Sequence, residues 1–533
     1  MRSTCRAFLF LVALQLFAEK LPPAFRAEAD HYREPRSVAV AASALATPAV
    51  VLDAPSPDAV RGGGDPPRVG IVRTLPEPYD SSRTRASSTG TSSTTASFRS
   101  TGASRVRLHL TNVQLSGDLL VYGRDGVATP FGAELVSAEG DVWTPSVDGD
   151  TIVIAYSAAD RFTVSAIGHM FGATPLSTAC FTDVSCNNFA DRDTLSRSIA
   201  AITYANGSGF FACSGGLINA TVSDRLFLTA NHCISNQAEA SSVELTWDFR
   251  TTSCGVTTTL QQSHTNGSTL LVTSATSDVT LLRLPSLPAN RALMGWDTAR
   301  PPAGTTLYRI SHPLNASATA PLQQLYSTTI SSETVGTCTG KTRPAYLYST
   351  RSTGGTAGGS SGSPVIISGG YIVGQLFGAC GPDPSDSCAS TTNTVDGWLG
   401  QSFPLLQPFL QPANATCTPS SSTLCLLGSR FRVTLNVNDP RVSGSGSANA
   451  TAQGDWGYFD VPAATGSSDK PVVFVKLIDG RPVNNRFWVF YGGLTDLQYS
   501  FTVTDVQTGA SKTYTKATGT YDGAADTNAF AGN

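Results

Sequence analysis

The chain has 533 residues, 41% of them hydrophobic, and a formal net charge of −3. That length suggests about three domains, and the absence of any basic tract argues against nucleic acid as a partner. No Cys-x-x-Cys pair or His/Cys cluster has zinc-site spacing, so neither metal nor cofactor is expected.

The one long apolar run, Ala7 to Ala18, is too short to span a bilayer and follows Arg2 and Arg6. Residues 1–28 are therefore read as a secretory signal, with Ala18 and Ala27 both open as its end. An uncleaved or lipidated anchor is the lesser alternative, and stable membrane insertion is not expected. Of eleven cysteines, Cys5 leaves with the signal, and ten remain. An even number suits a disulfide framework in a secreted, extracellular protein.

Residues 29–103 read as a low-complexity linker, Pro-rich from Pro55 to Pro78 and dominated by Ser, Thr and Gly from Ser81 to Gly102. Such a composition buries little apolar surface. Alternation then begins: Val106–Leu110, Leu119–Tyr122, Thr151–Tyr156 and Phe162–Ile167 are predicted strands, with Asp148-Gly149-Asp150 as a turn between them. Residues 104–172 are thus a small β-domain, with His109 and His169 structural. A carbohydrate-binding module is the rival reading of this stretch.

The chemistry concentrates in residues 173–412. The apolar stretch Phe227-Leu228-Thr229-Ala230 runs into Asn231-His232-Cys233, and Cys213 lies one hairpin earlier as a tether for Cys233. Histidine titrates near neutrality and activates a hydroxyl nucleophile. An orienting carboxylate is offered by Asp278, at the mouth of the apolar strand Val279–Leu284, and by the competitor Asp248 in Thr246-Trp247-Asp248-Phe249. Asp278 is preferred, because no apolar run follows Asp248. The nucleophile is Ser361 in Gly358-Gly359-Ser360-Ser361-Gly362-Ser363-Pro364, where glycines let the backbone approach a substrate. The N–H groups of Gly359 and Ser361 form the candidate oxyanion hole. The order His232, Asp278, Ser361 and the serine at position 363 both count against an α/β-hydrolase lipase or esterase.

Beyond Pro412, Phe431, Val433, Leu435 and Val437 alternate with polar residues, as do Tyr499, Phe501 and Val503. Asp479-Gly480 and Thr508-Gly509 are hairpin-type turns. Residues 413–533 are read as an antiparallel β-sandwich, with Cys417–Cys425 a local pair.

These motifs, with Cys180-Phe181-Thr182-Asp183-Val184-Ser185-Cys186 and Gly374-Gln375-Leu376-Phe377-Gly378, resemble the chymotrypsin-fold serine proteases. Within that fold they are most similar to the secreted bacterial lysyl endopeptidases, over roughly residues 175–412. The resemblance implies an all-β fold: a chymotrypsin-type double β-barrel flanked by an N-terminal β pro-domain (Trp143 and Gly149 fall in the matching stretch) and a C-terminal antiparallel β-sandwich. It implies the pairs Cys213–Cys233, Cys186–Cys254 and Cys180–Cys388, which leaves Cys338 to Cys380. The C-terminal segment resembles a β-module of many secreted bacterial proteins, with Leu424-Cys425-Leu426 and Phe487-Trp488-Val489-Phe490 as the matching pieces.

The expected function is a secreted, monomeric serine endopeptidase acting on protein or peptide substrates through an acyl-enzyme. The alternative is a catalytically inactive homologue serving as an extracellular binding or adhesion protein. Trypsin-type enzymes carry Asp where this chain has Ser360, so activation by a new N-terminal ammonium is unavailable, and removal of the pro-domain from the cleft takes its place. For specificity the resemblance points to Asp396 as the acid of the pocket base and to Thr350 and Phe377 at its wall. Phe377 replaces the family histidine, Arg351 opposes a cationic substrate, and no Lys or Arg lies between Phe162 and Cys180. A relaxed or apolar preference, with self-cleavage after a residue such as Phe171 or Leu176, is therefore expected.

Overall fold

A computed structural model describes residues 20–38, 45, 48–59, 64, 66–83, 93–171, 180–181, 183–186, 192–220, 225–256, 258–314, 325–331, 345–380, 388–389, 393–411, 417–442, 449–466, 470–507 and 510–531. Cys338, Leu176 and the Thr508-Gly509 turn lie outside the described residues. Leaving aside the short 220–223 stretch, the chain forms two compact units, one running to Leu406 and one from Gln407 onward.

The first unit opens with a β-sandwich. In one of its sheets β1 (Arg68–Asp80) and β2 (Arg105–Gln114) both pair antiparallel with β3 (Arg161–Met170). The other contains Leu119–Tyr122, Val127–Phe131, Thr151–Ser157 and Ser93–Ser100. Leu75, Val106, Leu108, Leu110 and Val164 of the first sheet close against Phe98, Val121, Phe131, Ile152 and Ile154 of the second. The linker expectation for 29–103 is corrected here, because Arg68–Asp80 and Ser93–Ser100 are strands of this domain. Alternating small and apolar residues (Ala96 and Phe98, then Ile71 and Leu75) bury one face of each. Of the prolines that suggested a linker, Pro66 and Pro67 precede Arg68–Asp80, and Pro76 and Pro78 lie within it. Lys20–Leu21 and Ala24–Arg26, within the stretch read as signal, pair with Trp296–Asp297 and Arg291–Leu293.

β1 also pairs with the double-barrel region, joining the strand Gly209–Leu217 antiparallel. The first barrel sheet comprises β4 (Ile199–Asn206), β5 (Gly209–Leu217), β6 (Leu226–Ala230), β7 (Glu244–Trp247), β8 (Ser263–Asn266), β9 (Thr269–Ser274) and β10 (Val279–Arg283), in the order β8-β7-β4-β5-β6-β10-β9. It curls round Ile202, Leu217, Phe227, Leu245, Trp247 and Leu282.

The second barrel closes fully. β11 (Thr306–Ser311), β12 (Leu325–Ser331), β13 (Tyr346–Thr353), β14 (Pro364–Ile367), β15 (Tyr371–Cys380) and β16 (Asn393–Trp398) form the cycle β15-β14-β11-β12-β13-β16, and β16 returns to β15. Closure leaves no open edge within the cycle. Helix α1 (Leu399–Leu410) follows, with Leu399, Phe403, Leu406 and Leu410 buried along one stripe.

In the second unit a four-stranded sheet (Thr423–Leu426, Phe431–Val437, Tyr499–Asp505, Ser511–Lys516) and a five-stranded sheet enclose one apolar core. Asp479-Gly480 does not make the expected tight turn. Arg481–Asn484 forms a helical turn instead, tied by Arg481 donating to Asp479 at 2.7 Å. A Cβ on Gly480 would strike the Trp488 ring at 2.2 Å, so the glycine answers packing there.

Among the described residues, disulfides join Cys180 to Cys388, Cys186 to Cys254, Cys213 to Cys233 and Cys417 to Cys425. Cys380 is also disulfide-bonded. Among the described residues no helix is long and apolar enough to cross a membrane.

Candidate active site

β6 is buried along its whole length, and Asn231 and His232 emerge from its end. The bridge from Cys233 to Cys213 on β5 anchors that end. Asp278 stands one residue before β10, which pairs with β6, so the β6–β10 ladder brings His232 and Asp278 together. The turn at Asp278 takes φ of 56°, a left-handed conformation that Asp tolerates better than most residues. Asp278 Oδ1 accepts the backbone N–H of His232 at 2.9 Å, and Oδ2 lies 2.7 Å from Nδ1. A carboxylate accepts hydrogen bonds, so in the neutral imidazole this contact selects the tautomer with the proton on Nδ1 and the lone pair on Nε2. Nε2 is shielded from solvent, with no hydrogen-bond partner among the described residues.

The second barrel grips the same turn. Gln375 Nε2 donates to the carbonyls of Ser277 at 2.7 Å and Asp278 at 3.2 Å. A Cβ on Gly397 would lie 1.8 Å from the Ser277 carbonyl oxygen, so the backbones meet directly. Asp248 belongs elsewhere, since its carboxylate is held by Arg291.

Ser361 arrives from the other side. Its carbonyl accepts the N–H of Ser214 on β5 at 2.8 Å. Gly362 has φ of 79°, and a Cβ there would meet Thr229 Oγ1 at 2.2 Å and Ala230 N at 2.8 Å. Only glycine allows this approach, which sets Ser361 beside the end of β6. Ser360 Oγ accepts the Ala357 N–H at 3.3 Å and the Ser311 hydroxyl at 3.1 Å, a neutral network throughout.

Of the three candidate specificity residues, Phe377 alone touches the pair, its ring edge-on to His232 at 5.5 Å. The same ring also packs edge-on with Tyr346 at 6.0 Å, whose hydroxyl is pushed up to about 12 by burial, with the Asp278 charge adding to it. Thr350 is half-buried on β13 opposite Asn393. Asp396 is wholly buried, and Arg309 donates to its carboxylate. Burial pushes this carboxyl up to about 6 against the pull of Arg309. Arg351 is also engaged, donating to the Cys388 carbonyl at 2.7 Å. The residues that motif reading missed are Ser214, Gln375 and Arg309. Cys213-Ser214-Gly215-Gly216 was visible as a small-residue run, but nothing local shows what lies opposite it.

A curled first barrel carrying a His–Asp pair, facing a closed second barrel that presents a glycine-flanked serine, is the chymotrypsin-type protease fold. Residues 175–397 match the family described as Lysyl endopeptidase, C-terminal domain. Through that stretch the chain is similar to the lysyl endopeptidases. It is 27% identical over 241 residues to the lysyl endopeptidase of Pseudomonas aeruginosa, covering 39% of this chain and 52% of that one. A secreted RxLR effector protein 73 of Plasmopara viticola is 28% identical over 231 residues, covering 42% and 52%. The chain thus spans about half the length of the curated relatives it matches. Among solved structures it is similar to the inactive form of Rv3671c from M. tuberculosis H37Rv, at TM-score 0.29, 16% identity and 45% and 98% coverage. It is also similar to a scabies mite inactivated protease paralogue, at TM-score 0.30, 13% identity and 41% and 98% coverage.

Proposed function

We propose that the protein is a secreted serine endopeptidase. Ser361 attacks the scissile carbonyl while His232 Nε2 takes its proton, and Asp278 holds the imidazole and stabilises its charged form. The N–H groups of Gly359 and Ser361 receive the oxyanion. His232 then protonates the leaving amine, and water hydrolyses the acyl-enzyme with the same base. The observation that carries the reading is the two-point grip of Asp278 on His232, which leaves Nε2 as an acceptor. Six disulfide-bonded cysteines in the double-barrel region besides Cys380 (Cys180, Cys186, Cys213, Cys233, Cys254 and Cys388) support an oxidising destination.

The N-terminal sandwich is proposed as a pro-region that limits access to the cleft. Support comes from Pro67, whose carbonyl accepts the Ala212 N–H at 3.0 Å. Its ring packs on Gly358, three residues before Ser361, where a Cβ would meet it at 3.3 Å. Release of this segment, rather than a charge at Ser360, is the proposed activating step. Relaxed or apolar selectivity is proposed at the residue before the scissile bond, because Asp396 already has an internal cation and Phe377 lies at the His232 side. Labelling with a fluorophosphonate tests the activity: wild type should react at Ser361, and Ser361→Ala and His232→Ala should not. An unreactive wild-type chain would leave the inactive-homologue reading in its place.

A further inference from the structure

Ser214 sits in β5 one residue beyond Cys213, without solvent exposure. Its polar atoms are directed at the nucleophile loop and its surroundings. The N–H donates to the Ser361 carbonyl at 2.8 Å, and the hydroxyl donates to the Gly359 carbonyl at 2.8 Å. The same hydroxyl accepts the His312 N–H at 2.9 Å, and the Ser214 carbonyl accepts the Thr229 hydroxyl at 2.9 Å.

The consequence follows from peptide planarity, since the C=O and N–H of one trans peptide point in opposite directions. The Gly358 carbonyl takes the Leu314 N–H at 2.9 Å, and the Ser360 carbonyl takes the Ser363 N–H at 3.1 Å. Those two bonds orient the peptides that carry the N–H groups of Gly359 and Ser361. The intervening peptide has its N–H on the Ala357 carbonyl at 2.8 Å and its carbonyl on the Ser214 hydroxyl. Ser214 therefore clamps the loop at two carbonyls, one on each side of the Ser361 N–H. A segment with φ of 97° at Gly359 and 79° at Gly362 has little intrinsic preference for this conformation, so an external clamp matters. β5 is also bonded to β6, the strand that presents His232, through the Gly216–Leu228 pair.

Resting on the catalytic reading above, we infer that Ser214 is a positioning residue. From the first barrel it preorganises the oxyanion-binding N–H groups carried by the second, and it holds them in register with His232. Ser214 touches neither substrate nor reacting atoms. Its effect should appear in the stabilisation of the tetrahedral species and not in ground-state binding.

The test compares the purified chain with Ser214→Ala on a short peptide substrate, a peptide boronic acid that forms a tetrahedral adduct with the serine, and the product peptide. Removing one oxyanion donor costs about 10²–10³ in kcat, and loosening the loop that aims two of them should cost about 10- to 100-fold. KM and product-peptide affinity should stay within about twofold of wild type, while boronate affinity falls by the same factor as kcat. Ser214→Cys, which fills the site and donates weakly, should lie between the two, and it carries the comparison alone where Ser214→Ala does not fold. Unchanged kcat and boronate affinity in a well-folded Ser214→Ala chain would overturn the inference, as would equal losses for boronate and product peptide. A wild type unreactive to fluorophosphonate removes the catalytic reading and this inference with it, whereas a reactive wild type with unaffected variants removes only the inference.

Discussion

Arg309 donates to the carboxylate of Asp396 inside the second barrel, and both side chains are shut off from solvent. A buried acid with its own guanidinium has no unmet need for a substrate ammonium. Cleavage of a peptide library should therefore not concentrate on Lys bonds. Asp396→Asn leaves Arg309 buried without its partner and should lower stability by about 3–5 kcal/mol, while the residues preferred before the cut stay the same. Cleavage confined to Lys, lost selectively in Asp396→Asn, would restore Asp396 as the specificity anchor.

Asp278→Asn keeps the shape of the turn but allows the imidazole its other tautomer. Turnover should fall by about 10⁴, with substrate binding little changed. Combined with Ser361→Ala, it should add almost nothing to the single loss, because the members act as a unit. Near-full activity in Asp278→Asn would contradict the assignment, although Asp248 could replace it only by leaving Arg291.

Glu244 on β7 joins the N-terminal sandwich to the first barrel by accepting the Ser146 N–H at 2.9 Å and the Ser146 hydroxyl at 2.7 Å. Burial opposes its charge, but Arg105 and Arg107 outweigh that and hold its pKa at about 2. Folded Glu244 stays ionised where the unfolded chain would already bind a proton. Its contribution is thus complete above the usual carboxylate range and is lost as pH falls toward about 2. The thermal unfolding midpoint of the full chain should drop across that window, and Glu244→Gln should flatten the slope.

The Cys213–Cys233 bridge ties down the strand end that carries His232. Its removal should cost about 2–5 kcal/mol. Fluorophosphonate labelling should fall along with the unfolding midpoint as reductant is raised. Full labelling of a chain shown by mass to have this bridge reduced would mean that the strand end holds its place unaided.

The Pro67 contact predicts that the intact chain discriminates by substrate length. Short chromogenic substrates should be hydrolysed faster, relative to long polypeptides, than by the processed enzyme. Pro67→Gly should narrow that gap. Equal length dependence before and after processing would argue against a blocking role for this segment.

Local pattern carried much of this protein. The β-alternation of 106–110, 151–156 and 431–437, the apolar strand ending at His232 and the glycines around Ser361 are all properties of neighbouring residues, and backbone sterics and period-2 burial act at that range. The strand at Arg68–Asp80 was less legible, because the prolines before and within it resemble a linker until β3 and β5 appear on either side. What only the tertiary structure decided is which residue stands opposite which. His232 meets Asp278 across 46 positions, Arg309 meets Asp396 across 87, and Ser214 reaches Gly359 across 145. Those partners are chosen by strand register and barrel closure. A candidate carboxylate such as Asp248 or Asp396 therefore looks available in the sequence until folding delivers an arginine to it.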